Sequence, residues 1–285
     1  MAERQTRIRQ IPCGPTVLTV GERTLVMGIL NVTPDSFSDG GRWTDPDRAV
    51  ERAVTMLQEG ADIIDVGGES TRPGHTPVSA EEELRRLLPV VRALRQAVPH
   101  MVISVDTYKA SVARAALEAG ANIINDIWGL SRDPDMARVA AEFQAPVVVM
   151  HNQEGTSYQD LMGDIIRFLE RSIETAAAAG LPRELVIVDP GFGFGKTTAQ
   201  NLRVVNELSA LQVLDAPILL GPSRKRAIGE VLGGLPVDER LEGTAATVAI
   251  GIARGADIIR VHDVKAMKRV AMMTDALVRP GCLRA

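Results

Sequence analysis

Hydrophobic positions along this chain fall into short, almost uninterrupted apolar runs separated by longer amphipathic stretches. The runs at 101–106, 145–150 and 185–189 are too short for buried helices and rich in Val and Ile, which predicts strands covered on both faces. Three segments repeat one another: Gly60-Ala-Asp-Ile-Ile-Asp65, Gly120-Ala-Asn-Ile-Ile-Asn125 and Gly255-Ala-Asp-Ile-Ile-Arg260. In each, Gly suits the left-handed position past a helix C-terminus and the β-branched pair opens a strand. With 25–30 and 216–221 the chain offers eight strands. Helical spacing covers 47–59, 80–98, 109–119, 135–143, 160–179, 197–208, 241–254 and 264–277. This alternation predicts an α/β protein, a (β/α)8 TIM barrel, with an open doubly wound sheet as the competing architecture. Residues 9–23, with Pro12, Gly14, Pro15 and Gly21 among alternating apolar positions, predict a hairpin ahead of a barrel over about 24–279. No linker divides the chain, so one domain over 1–285 is expected.

Composition narrows the function. A chain of 285 residues, 45% apolar and 24% charged, is ordinary for a globular protein, and no apolar run approaches the roughly 18 residues of a membrane span. No apolar h-region follows the charged first ten residues, so a cytoplasmic location is expected. The net charge of −4 supplies no basic field for nucleic acid, which leaves a small-molecule partner. Cys13 and Cys282 lie near opposite ends and suggest neither a disulfide framework nor a metal cluster.

Chemistry in such barrels sits at the carboxyl ends of the strands. The strand ends carry Asn31, Asp65, Asp106, Asn125, His151, Asp189, Ser223 and the pair Arg260/His262, more polar groups than helix capping requires. Taken alone, Asp65 reads better as a helix cap. Arg260 and His262 stand two apart on a strand, share a face and can grip one anion, next to the customary phosphate position after the seventh strand. Arg224 and Arg226 read as surface charges in at least one case. His75 and His100 receive no role, and no histidine pair has zinc-like spacing. The first two βα loops, 31–41 and 67–77, are long and Gly-punctuated, as binding loops are. The run Asp189-Pro-Gly-Phe-Gly-Phe-Gly-Lys196 suggests a nucleotide loop but fails the count, because only three residues separate Gly191 from Gly195.

Seven ordered motifs resemble those of dihydropteroate synthase, the bacterial folate-synthesis family, over nearly the whole chain. They are Met27-Gly-Ile-Leu-Asn-Val-Thr-Pro-Asp-Ser-Phe-Ser-Asp-Gly-Gly41, Asp65-Val-Gly-Gly-Glu-Ser-Thr-Arg-Pro-Gly74, Val105-Asp-Thr107, Asn125-Asp-Ile127, the 189–196 run, Ser223-Arg-Lys225 and Arg260-Val-His262. The resemblance implies a transferase that joins 6-hydroxymethyl-7,8-dihydropterin diphosphate to 4-aminobenzoate and releases diphosphate and 7,8-dihydropteroate. It implies Asp35, Lys225 and Asp189 as catalytic residues, and a pterin pocket of Asp106, Asn125, Ile127, Met150, Asp189, Phe194, Gly221 and Lys225. Diphosphate would meet Asn31, Arg72, Arg260 and His262, with Mg²⁺ held partly by Asn31. The aminobenzoate pocket would comprise Phe37, Thr71, Arg72, Pro73 and Arg226, the last standing where some members have serine. A homodimer and membership of a family that sulfonamides target are further implications. A corrinoid-linked methyltransferase on a related barrel, a pterin-binding paralogue without turnover, and a sugar-phosphate enzyme are the competing readings.

Overall fold

The computed structural model describes residues 7–33, 46–69 and 77–279. An antiparallel hairpin comes first: β1 (Arg9–Cys13) and β2 (Thr16–Val20), turning at Gly14 with φ +66°. There follow β3 (Leu25–Asn31), α1 (Pro46–Gln58), β4 (Ile63–Gly67), α2 (Ala80–Ala97), β5 (Val102–Asp106), α3 (Ala110–Glu118), β6 (Ile123–Asp126) and α4 (Met136–Phe143). The chain continues with β7 (Val147–Met150), α5 (Leu161–Ala178), β8 (Val186–Asp189), α6 (Thr198–Asn206), β9 (Leu219–Leu220), α7 (Arg226–Val231), α8 (Leu241–Ala253), β10 (Ile258–Val261) and α9 (Val264–Val278).

Strands β3 to β10 form one parallel sheet of eight in the spatial order β8-β7-β6-β5-β4-β3-β10-β9. Its two ends meet where the Val188 N–H donates to the Pro217 carbonyl at 2.9 Å and Val188 bridges Ile218, so the sheet is a nearly closed barrel. The TIM barrel expected from the alternation is therefore the fold, and the open sheet is not. Strands β4 to β8 are buried at every position, as strands between an interior and a helical layer must be. The sequence reading omitted α7, whose six residues include Gly229 and are too few to show a helical period. Among the described residues no helix is long and apolar enough to cross a membrane.

The repeated Gly-Ala junction is one mechanical device used several times. Gly60, Gly120 and Gly255 take φ of +102°, +109° and +117°, and the following Ala61, Ala121 and Ala256 donate their N–H groups to carbonyls five residues back. That pattern closes the helix and aims the chain into the next strand. At the junctions before β7 and β9 the positive φ falls on Gln144 and Asp215, which is why no glycine marks them in the sequence.

The hairpin seals the end of the barrel where the strands begin. Asn122 donates to the Cys13 carbonyl at 3.0 Å and Thr16 to the His100 carbonyl at 3.1 Å. Cys13 is buried there, and burial pushes its thiol up to about 12, outside the range in which thiolates form. Arg279 finishes the seal, donating to Asp275 at 2.6 Å, the Gly21 carbonyl at 2.9 Å and the Ala256 carbonyl at 3.1 Å. Asp275 also accepts from the Thr24 N–H at 2.7 Å and hydroxyl at 2.8 Å. Arg279→Met strands that buried carboxylate, and we expect a loss of about 3–5 kcal/mol of stability, read as a lower urea midpoint with an unchanged denaturant slope.

Candidate active site

The polar groups of the strand ends do converge on one mouth of the barrel. At its centre lies the Arg260 guanidinium, whose Nε donates to Asp65 Oδ2 at 2.6 Å and whose Nη2 donates to Asp106 Oδ2 at 2.7 Å. Asn125 Nδ2 donates to the same Asp65 oxygen at 3.1 Å. Strand register explains the grouping: Asp65 lies opposite Ser104, and Asp106 opposite Asn125, so all four face the barrel interior. Asp65 Oδ1, Asp106 Oδ1 and Ser104 Oγ are buried without a protein partner, which makes this floor suited to a ligand rich in donors.

On the opposite wall Asp189, buried at the end of β8, accepts the Gly191 N–H at 2.7 Å. Lys225 caps α7 and donates from Nζ to the Phe192 carbonyl at 2.6 Å, 3.8 Å from the centre of the Phe194 ring. Gly221 has Arg260 and Asp189 as its nearest side chains, and its missing Cβ leaves the space between them open. Ile127 and Met150 are buried beside these groups in sequence, and Phe194 is half-buried. Burial, opposed by Arg260, raises the Asp106 carboxyl to about 7; burial also raises Asp189, against the pull of the Gly191 N–H and Lys225. Burial lowers Lys225 to about 7, with Asp189 opposing it. The Asp106 acid and the Lys225 amine thus meet near neutrality, a mark of functional sites.

A family model described as pterin binding enzyme matches residues 27–262. This chain belongs to the pterin-binding enzyme family. It is 54% identical over 267 residues to the dihydropteroate synthase of Clostridium beijerinckii, covering 93% of this chain and 98% of that one. Among solved structures it resembles the dihydropteroate synthase of Clostridium difficile determined in the presence of pteroic acid, with TM-score 0.89, 52% identity and coverage of 91% and 98%. It also resembles that of Xanthomonas albilineans with 4-aminobenzoic acid, with TM-score 0.90, 42% identity and coverage of 95% and 98%.

In this member of the pterin-binding family Asn31 ends β3, half-buried beside Gly67. His262 follows β10 and is tied to Ser223, which accepts its backbone N–H at 3.1 Å and lies 2.9 Å from Nδ1. Arg260 and His262 are not equivalent: the first is engaged on the floor, the second at the rim. Arg226, the first residue of α7, is mostly exposed and pairs with Glu230 at 3.0 Å. Arg224 is no solubility charge; at φ +56° it holds Asp263 through two hydrogen bonds of 2.9 and 2.6 Å. Asp35, Phe37, Thr71, Arg72 and Pro73 lie outside the described residues.

Asp65 corrects the sequence reading: it caps no helix but is the fully buried anchor of Arg260 and Asn125. Only its pairing through a residue 195 positions away reveals this. Two other groups were missed. Lys109 bridges Glu69 and the buried Glu83 at the foot of the second loop, and Lys196 is buried beside His151. A groove of about 460 Å³ between the hairpin and the barrel, lined in part by Thr16, Asp62 and His100, lies at the sealed end, away from all of this.

Arg260→Met leaves Asp106 without its cation, so its already raised carboxyl moves higher. Below about pH 7 the native carboxyl is protonated in parent and variant alike, and the two should differ least there. Above it the variant must either bury an uncompensated charge or hold a proton that the unfolded chain releases, and the deficit should widen. Urea titrations at pH 5.5 and 8.5 check this sign.

Proposed function

We propose that this chain is a dihydropteroate synthase, which condenses 6-hydroxymethyl-7,8-dihydropterin diphosphate with 4-aminobenzoate to give 7,8-dihydropteroate and diphosphate. The observation that carries this reading is the buried set of Asp106, Asn125 and Asp189 with the half-buried Lys225 at one mouth of the barrel, in a chain 54% identical to a dihydropteroate synthase. A pterin presents neighbouring N–H donors and a ring carbonyl. Asp189 takes the ring N–H and the exocyclic amine, a pairing a carboxylate makes with two parallel bonds. Asp106 and Asn125 hold further ring heteroatoms, and Lys225 donates to the carbonyl. Ile127, Met150, Phe194 and the open space at Gly221 accept the ring's faces. The methyltransferase and non-catalytic readings are not favoured, since the relatives named above are synthases.

The carbon–oxygen bond to diphosphate breaks, the pterin methylene becomes a cation stabilised by the ring, and the arylamine nitrogen attacks it and then loses a proton. No enzyme nucleophile takes part. Lys225 and Asp189 hold the ring in the plane that stabilises the cation, and Asp35 lies on the loop assigned to face it. His262 and the outward side of Arg260 bind the departing diphosphate, with Arg72. Phe37, Thr71, Arg72, Pro73 and Arg226 form the aminobenzoate pocket.

Asn31 offers a hard amide oxygen at the mouth, and no group of three His, Cys, Asp or Glu ligands gathers among the described residues. That donor set fits Mg²⁺, which binds through few protein oxygens plus water and substrate phosphate. When bound there it neutralises charge on the diphosphate. The exposed Val231, Leu241, Ile250, Met272, Met273 and Leu277 on α7 to α9 support a homodimer seated on that face. A cytoplasmic enzyme fits the chemistry, whose substrates are intracellular metabolites.

Diphosphate release from the two substrates by the purified chain is the direct test; no release, with intact pterin binding, would leave a binding protein. Pterin affinity should follow a bell in pH with its maximum near 7, because Asp106 and Asp189 must be ionised and Lys225 protonated. Lys225→Gln should abolish the alkaline limb and move the acid limb to higher pH, since Lys225 holds Asp106 and Asp189 down. His262→Ala should weaken binding of the diphosphorylated pterin and spare the unphosphorylated one, whereas Arg260→Ala should weaken both, since it also braces Asp106. Calorimetric titration with the two ligands separates these outcomes.

A further inference from the structure

The glycine-rich run from Gly191 to Lys196 is not a nucleotide loop, yet its composition calls for an account. Lys196 supplies it. Its side chain folds back under the loop, and Nζ lies 3.0 Å from the Gly191 carbonyl, 3.0 Å from the Phe194 carbonyl and 3.0 Å from His151 Nδ1. Three donors of one ammonium thus meet three acceptors. In a phosphate-binding loop backbone N–H groups converge on an anion; here the polarity is inverted, and carbonyls converge on the chain's own amine, which burial lowers to about 7 against the pull of Asp189. The glycines permit this wrapping: Gly191, Gly193 and Gly195 take φ of +73°, +84° and +53°, and a Cβ on Gly191 would overlap the His151 carbonyl.

His151 is fitted to accept. Burial, reinforced by the charge of Lys196, lowers its imidazole to about 3, so the ring is neutral, and an amine donor 3.0 Å from Nδ1 favours the tautomer with its proton on Nε2. Its ring packs edge-on against Phe168 at 5.0 Å, and its backbone N–H donates to the Asp189 carbonyl at 2.9 Å. The loop is pinned from outside as well, where the Gly193 N–H donates to Asn201 at 2.6 Å and the Tyr158 hydroxyl to the Gly195 carbonyl at 2.7 Å.

What hangs from this frame is the pterin-facing pair. The Gly191 N–H orients Asp189 Oδ1, and the Phe192 carbonyl fixes Lys225 Nζ, with the Phe194 ring beneath it. Gly191, Phe192 and Phe194 all lie within the span that Lys196 gathers. We propose that Lys196, seated on His151, is a positioning residue for the pterin site: it folds the 190–196 loop so that Asp189 and Lys225 are held at the spacing of a pterin edge. It touches no substrate and acts through those two groups. The inference rests on the pterin-site reading above.

The test is titration of 6-hydroxymethylpterin into the full-length parent, Lys196→Met, Lys225→Met and the double variant, each shown by calorimetry to melt cooperatively. Lys196→Met should weaken pterin binding by about tenfold or more, the loss of a charge-assisted bond at Lys225. In the Lys225→Met background the same change should cost less, because one of the two groups it positions is gone. The KM for 4-aminobenzoate should stay within about twofold of the parent, since that pocket is built from other loops. Equal losses in both backgrounds, or no loss at all, would overturn the proposal. If Lys196→Met does not fold, His151→Phe keeps the ring packing and deletes one acceptor, and it must show the same dependence on Lys225 in smaller degree; its absence overturns the proposal equally. A parent that binds no pterin removes the site reading and this inference together, whereas a binding parent with an unaffected variant removes the inference alone.

Discussion

Charge inside the barrel mouth is the constraint to which the rest of the site answers. Two buried carboxylates, Asp65 and Asp106, share one guanidinium, and across the cleft Asp189 serves two lysines, Lys196 and Lys225. None of these groups could stay ionised in such surroundings alone, since burying one uncompensated charge costs several kcal/mol, about as much as a domain's whole stability margin. Each is kept by another, and a ligand that supplies donors to the acids and an acceptor to Lys225 completes the set. The site is therefore held near electrical neutrality by its own wiring, and on the proposed reading its stability and its affinity for pterin have a common origin.

The fold was legible because parallel strands buried on both faces write themselves as apolar runs, and because Gly60, Gly120 and Gly255 mark where helices end. Where the same turn is made by Gln144 or Asp215, only the apolar run that follows betrays it. The short helix α7 was not legible, since six residues cannot display a period. Of the site, the rim residues were legible as strand ends, and the motif resemblance assigned them to substrates. The partnerships were not. Asp65 looked like a cap because the sequence does not show that Arg260 stands next to it, and Lys196 looked like the tail of a failed phosphate motif because its acceptors are backbone carbonyls, which leave no trace in side-chain identity.

The two ends of the strands carry different duties. At the sealed end Arg279, Asp275 and the hairpin hold the chain together without any ligand chemistry. At the mouth Arg260 does comparable structural work, bracing Asp65 and Asp106, and on the proposed reading it also meets substrate. On the proposed reading, a substitution at Arg260 acts on folding and on binding at once, while His262, whose imidazole meets Ser223 at the rim, acts chiefly on binding.

The repeated helix ending has an evolutionary corollary. Each Gly-Ala junction sets the starting register of its strand from the helix behind it, through bonds such as Ala61 N–H to the Met56 carbonyl and Ala121 N–H to the Ala116 carbonyl, both 2.9 Å. Nothing in that register refers to the connection at the mouth. Lineages can therefore lengthen, shorten or rewrite the mouth connections while Asp106, Asn125 and Asp189 keep their depth in the well. The architecture separates the part of the enzyme that must read a fixed substrate from the part that is free to drift, and an insertion tolerated in one loop leaves the remaining seven units undisturbed.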